Sequence, residues 1–184
     1  MSQRTTPFHT LSVLVEDKPG ILAKVVGLFS RRGFNILSLA VGNTHSPGFS
    51  RITIVVRAER HSIDQVMKQL HKLINTHKVM ELYPNDSVER ILAMIKVRTG
   101  SASERADVLQ VVDIFRSRTV DVGPHSLTIE ATGTRSKIDA LLEMLRPYGV
   151  IEMVQSGAIT IGRGSETITE RLSIQERRAR EQQY

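Results

Sequence analysis

The chain has 184 residues, 40% hydrophobic and 24% charged, with a formal net charge of +6 and no cysteine. This is globular composition, enough for one large domain or two small ones, and it excludes disulfides, thiol catalysis and thiolate metal sites. No apolar run approaches a membrane span and Met1–His9 holds no hydrophobic signal region, so a soluble, cytoplasmic protein is expected.

In chain order, Leu11–Val15 alternates and is rich in β-branched residues, which predicts a strand. Asp17-Lys18-Pro19-Gly20 breaks it with turn residues, and a helix follows with Ile21, Leu22, Val25, Val26, Leu28 and Phe29 on its apolar face. Gly33 ends that helix as a left-handed cap, where a Cβ would clash. Phe34–Val41 and Arg51–Arg57 read as strands around the hairpin loop Asn43–Gly48. Ser62 and Gln65 form a capping-box pattern before Ile63, Val66, Met67, Leu70 and Ile74, and Lys78–Tyr83 supplies a fourth strand. The order is βαββαβ, the ferredoxin-like arrangement.

Pro84–Ser87 reads as a linker, after which the order repeats. Ile91–Arg98 is a strand, Ser101 and Glu104 form a second capping-box pattern, and Val108, Val111, Val112 and Phe115 line a helix. Val120–Val122 and Ser126–Ala131 pair around Gly123-Pro124; Ile138, Leu141, Leu142 and Leu145 mark a helix, and Val150–Val154 a last strand. Phe29–Ile36 also aligns with Phe115–Val122, which sets Asn35 against Asp121. The expected architecture is therefore α+β: two tandem ferredoxin-like domains over 1–83 and 84–165, then a charged tail over 166–184. Residues 166–183 hold four Arg and four Glu, suited to a solvated helix or a flexible end.

The excess positive charge lies in the first half: residues 1–83 hold 11 Lys/Arg against 5 Asp/Glu, and residues 84–184 hold 14 of each. A basic half can attract nucleic acid, an acidic protein surface or an anionic ligand, and equally can be a solvated surface. The βαββαβ order is shared with RNA-recognition modules, which stack bases on aromatics of the two central strands. Here Leu11–Val15 and Ser50–Arg57 hold no aromatic, and Phe49 at the edge of the second is the only echo, which leaves a tandem RNA-binding module as a minor alternative.

No catalytic constellation is present. The six histidines (9, 45, 61, 71, 77 and 125) make no metal-ligand pair, and there is no nucleophile elbow or phosphate-binding glycine loop. The informative place is Asp17-Lys18-Pro19-Gly20-Ile21-Leu22. A glycine at a strand-to-helix turn lets a ligand approach the backbone, and the unpaired amides and positive dipole end of the helix suit a carboxylate. Asn35 opens the next strand, whose neighbouring position can bring it near this turn, with an amide that matches a carboxylate and an ammonium together. Ile21, Leu22 and Ile36 offer an apolar wall. On spacing alone, a plain tight turn at Pro19-Gly20 and a strand-entry residue at Asn35 stand ahead of a ligand site. The second repeat has no Pro-Gly at its junction Thr99–Arg105, so only the first repeat carries these features.

The stretches Leu11–Leu22 and Gly27–Ile36, with Ser50–Ile54, Lys68–Leu73, Ser156-Gly157 and Arg163-Gly164, resemble the acetolactate synthase small-subunit family over most of residues 8–164. The first repeat resembles an ACT domain, a small-molecule sensor. The resemblance implies a non-catalytic regulatory chain that activates a separate catalytic subunit and confers feedback inhibition by valine, or by leucine or isoleucine. That partner would use thiamine diphosphate, Mg2+ and FAD; this chain would hold no cofactor. It also implies a homodimer through ACT domains, with Asp17, Gly20, Ile21 and Leu22 of one protomer facing Asn35 and Ile36 of the other. No nucleic acid or membrane is implied. An ACT-type regulator of another enzyme is the alternative. Asp17 stands where many relatives have Asn; a carboxylate there attracts an ammonium and repels a carboxylate.

Overall fold

The computed structural model describes residues 7–170. The first βαββαβ unit contains β1 (Phe8–Glu16), α1 (Ile21–Arg31), β2 (Ile36–Asn43), β3 (Phe49–Arg57), α2 (Arg60–His71) and β4 (Thr76–Leu82), with antiparallel sheet order β2-β3-β1-β4. The second contains β5 (Ser87–Arg98), α3 (Ala102–Ile114), β6 (Arg118–Val122), β7 (Ser126–Gly133), α4 (Arg135–Leu145) and β8 (Val150–Gln155), in the order β6-β7-β5-β8. A short strand that the sequence did not suggest, β9 (Ile159–Gly162), pairs with β5. The α+β class and both ferredoxin-like orders are as expected.

The first core follows from two periodicities. Alternate strand residues Leu11, Val13, Val15, Ile52, Ile54, Val56 and Val79 meet Ile21, Val25 and Phe29 of α1 and Ile63, Val66 and Leu70 of α2. In the second unit Ile91, Ala93, Ile95 and Val97 alternate inward, with Leu127, Ile129 and Ala131 beside them. Val108, Val111 and Val112 of α3 and Ile138, Leu141 and Leu145 of α4 are buried as well.

The end of α1 is fixed by backbone chemistry. Gly33 sits at φ +71°, its amide donating to the Ser30 carbonyl at 3.0 Å, and the Phe34 amide reaches the Phe29 carbonyl at 3.0 Å. This double bond pattern, with a left-handed residue after the helix, satisfies carbonyls that would otherwise be orphaned. Phe34 then packs edge-on against Phe29, their ring centroids 6.4 Å apart, as the apolar contact of this motif. The end of α3 repeats the pattern, with Arg116 N–H donating to Asp113 and Ser117 N–H to Val112, both at 2.9 Å. There Arg116 takes the left-handed position, at φ +49°.

Four sequence expectations shift. The two helix ends align Gly33 with Arg116, so the local match of Phe29 to Phe115 is displaced: Asn35 precedes its strand, whereas Asp121 lies within β6 opposite Thr128. Helix α2 begins at Arg60, before Ser62; Gln65 instead accepts from Arg32 at 3.0 Å and bonds His61, so the predicted capping box does not form. That helix also ends before Ile74, which is exposed. Pro84–Asp86 is a 3-10 turn leading straight into β5, with Ser87 Oγ donating to the Tyr83 carbonyl at 2.6 Å. By compactness, the described residues of the first unit are 7–88 together with 160–170, and the second is Glu89–Ile159. The expected limits at 83/84 and 165/166 differ because the segment after β8 rejoins the first unit, Arg163 N–H donating to the Asp86 carbonyl at 2.8 Å. The expected tail beyond residue 170 lies outside the described residues.

Candidate functional site

The turn between β1 and α1 is a type II turn. Pro19 presets its first central position, Gly20 occupies the second at φ +82°, and the Ile21 amide closes it onto the Lys18 carbonyl at 3.3 Å. The next internal helix bond runs from the Lys24 amide to the Gly20 carbonyl at 3.1 Å. Among the described residues no side chain caps this end, which leaves the Leu22 and Ala23 amides open at the positive end of α1. A Cβ built on Gly20 would meet nothing within 4 Å, so the approach is open. Ala23 had no signal in the sequence, since its contribution is a backbone N–H.

Of the five candidate side chains besides Gly20, Asp17 and Leu22 are exposed at this turn, whereas Ile21 points into the core at 6% exposure. Ile21 therefore underpins the turn from the core side. Asn35 is exposed and Ile36 half-buried. Within one chain they do not approach the turn: Ile36 is level with Val56 and His9, while Glu16, before the turn, is level with Phe49. Seven residues of strand separate His9 from Glu16, roughly 23 Å at the usual rise. The expectation that Asn35 neighbours the turn within one chain is thus corrected by strand register. Strand β2 is an edge of its sheet, with Leu37 and Val41 exposed.

The start of α3 contrasts with that of α1. Ser101 Oγ accepts from the Glu104 amide at 3.1 Å, and the Glu104 carboxylate accepts from the amides of Ser101 at 3.2 Å and Gly100 at 2.7 Å. The predicted capping box is present: Ser101 Oγ takes the Glu104 amide, the equivalent of the open Ala23 amide at α1, while the Glu104 carboxylate takes the two amides just before the helix.

Around the first turn, Glu16 is held below the usual carboxylate range by hydrogen bonds from Lys18 and Asn75, each 2.6 Å away. No cluster of three metal-ligating side chains exists among the described residues. No described helix is long and apolar enough to cross a membrane. The centre of the sheet face that would stack bases in an RNA-binding module carries Ser12, Leu14, Thr53 and Val55, all buried, and its aromatics, Phe8 and Phe49, stand at opposite ends of the β1–β3 pair.

Two successive βαββαβ units, one with an open strand-to-helix turn and one with that turn self-capped, define a tandem protein whose first unit is of the ACT type. The family described as "AHAS small subunit-like ACT domain" matches residues 11–78, and that described as "Small subunit of acetolactate synthase" matches residues 90–164. The acetolactate synthase small subunit of Mycolicibacterium smegmatis is 55% identical over 163 residues, covering 89% of this chain and 95% of that one. The probable acetolactate synthase small subunit of Methanothermobacter thermautotrophicus is 48% identical over 160 residues, covering 87% and 95%. The crystal structure of the small subunit from Thermotoga maritima superposes with a TM-score of 0.78 at 39% identity, covering 87% of this chain and 99% of that one. The chain belongs to the acetolactate synthase small-subunit family.

Proposed function

We propose that this chain is the regulatory subunit of an acetolactate synthase: it binds a separate catalytic subunit, raises its activity and makes it subject to feedback inhibition by valine, or by leucine or isoleucine. The catalytic chain supplies the chemistry, with thiamine diphosphate, Mg2+ and FAD. The observation that carries this reading is the open start of α1, with the Leu22 and Ala23 amides free beside Gly20, against the filled start of α3. An amino-acid carboxylate fits two convergent amides at a positive helix end.

The free edge of β2 supports a second copy as the rest of the site. Two chains joined antiparallel along β2 carry Asn35 and Ile36 of one to the end where the other holds Asp17–Leu22. The Asn35 amide then both donates and accepts, Asp17 attracts the ammonium, and Leu22 and Ile36 border the branched side chain. In this reading residues 1–83 sense and dimerise, while residues 84–165 engage the catalytic subunit.

An effector changes the partner's activity only by binding its two assembly states unequally; about 1–3 kcal/mol of coupling gives roughly a 5–150-fold effect. The test is acetolactate formation by the catalytic subunit alone, with this chain, and with chain plus valine. Activation reversed by valine is expected. Product formation by this chain alone, or a catalytic subunit indifferent to it, sinks the reading.

A further inference from the structure

A cavity of about 630 Å³ lies in the first compact unit, on the sheet face opposite the helices. Its floor is Ser12 and Leu14 of β1, Arg51 of β3 and Met80 of β4, which alternate with the core residues of the same strands. Register makes them neighbours: Leu14 is opposite Arg51, and Ser12 opposite both Thr53 and Met80. Residues 161–170 roof the cavity with Ile161 and Ile168. The volume falls in the usual range for small-molecule sites, roughly 300–1,000 Å³.

Among the described residues, Arg51 stands in the wall of this cavity without an ion pair, and its Nε has no acceptor; Ser12 Oγ, also unpartnered, is sealed beneath the floor at 0% exposure. Burial alone pulls the Arg51 guanidinium below its ordinary pKa, with no carboxylate offsetting it. Two carboxylates line the roof, Glu166 and Glu170; the latter is engaged within it, accepting from the Thr167 amide at 2.8 Å and from its hydroxyl at 2.7 Å. Buried hydroxyls and cations left in this state are costly unless something accepts from them. We infer that the cavity binds a small organic anion, a carboxylate on a compact apolar body, with the Arg51 guanidinium donating to the carboxylate and Leu14, Met80 and Ile168 enclosing the rest. A guanidinium favours such a group because its planar fork matches a carboxylate.

The site is separate from the α1 turn but shares a loop with it. Ser46 and Phe49 line the cavity, and Gly48 between them accepts the Asp17 amide at 2.8 Å. Phe49 closes one wall edge-on against His77, with ring centroids 4.7 Å apart.

The test titrates isovalerate into the full chain by calorimetry, with ring-proton NMR of Phe49 and His77. One saturable event per chain is expected, shifting both rings. Arg51→Met should weaken it about tenfold or more, since a charge-assisted pair is lost. Ser12→Ala, beneath the floor, should leave affinity within about twofold, with thermal melts confirming that both variants fold. Leu22→Ala, at the α1 turn, should leave affinity within about twofold. Inorganic phosphate, which lacks an apolar body, should bind more weakly. The proposal is overturned by absence of saturation in the millimolar range, by binding that survives Arg51→Met in a folded protein, by loss with Leu22→Ala, or by phosphate binding as tightly as isovalerate. None of these outcomes depends on the catalytic subunit, so failure here is distinct from failure of the regulatory reading.

Discussion

The backbone amide of Asp17 donates to the carbonyl of Gly48 at 2.8 Å, so the turn that opens α1 is held by the loop between β2 and β3. Gly48 reaches that geometry at φ +81°, with open space where a Cβ would stand. Gly48→Val should therefore cost about 1–2 kcal/mol through left-handed strain alone, and should loosen the turn as the loop relaxes. Valine affinity falling along with the melting temperature is the expected result, read by titration and thermal melts.

Gly20→Ala and Gly20→Asp separate strain from charge. Alanine carries a left-handed penalty of about 1–2 kcal/mol and aspartate a smaller one, and neither side chain meets a neighbour at Cβ. Only the aspartate sets a like charge against a ligand carboxylate at the helix N-terminus. Gly20→Asp should abolish valine inhibition while much activation survives, and Gly20→Ala should weaken inhibition less. Activation assays with and without valine decide, and a folded Gly20→Asp chain with normal valine response would remove the turn from the site.

The helix ends make a second stability prediction. Arg116 holds a left-handed position that Gly33 fills in the first unit. Arg116→Gly should stabilise by about 1 kcal/mol, the relieved strain outweighing the greater freedom of the unfolded chain. Phe29→Ala, which removes a fully buried ring, should destabilise by about 3–5 kcal/mol. Denaturant midpoints measure both.

Glu81 predicts acid sensitivity. Burial raises its pKa, but hydrogen bonds from His9 at 2.6 Å, from Tyr83 at 2.8 Å and from Arg60 outweigh burial and hold it below the ordinary 4.5. A depressed folded value means the contribution is full above pH 4.5 and is lost as pH falls through the folded value. Tyr83, raised by burial and by Glu81, acts in the opposite direction: its contribution fades as pH rises past the ordinary 10.0. Melting temperature against pH should fall at both ends, and Glu81→Gln should flatten the acid limb.

Much of the fold was legible because each unit repeats two simple periods, as at Leu11–Val15 and at Ile21, Val25 and Phe29. Gly33 and the Ser101–Glu104 pair were readable because their chemistry is local. The Ser62–Gln65 pair shows the limit: the same spacing occurs inside a helix, where Gln65 serves Arg32 and His61 instead. Strand β9 was missed because four residues carry too little pattern. At the site, Gly20 was visible as a residue type, but the separation of Asn35 from the turn depends on strand register, which no local pattern encodes. Arg51 and Ser12 were silent in sequence, since a lone polar residue on a strand is usually solvated, and only the roof over them changes its meaning.

The capping box of α3 has a consequence for how a repeated unit loses an open helix end. Glu104 presents its carboxylate to the Gly100 and Ser101 amides through a tether of a few bonds. A tethered group competes at an effective concentration of roughly millimolar or above, whatever the cell contains. An anion arriving at this end would meet a negative charge that diffusion cannot remove, with the Glu104 amide already taken by Ser101 Oγ. Among the described residues, α1 carries no such tethered group.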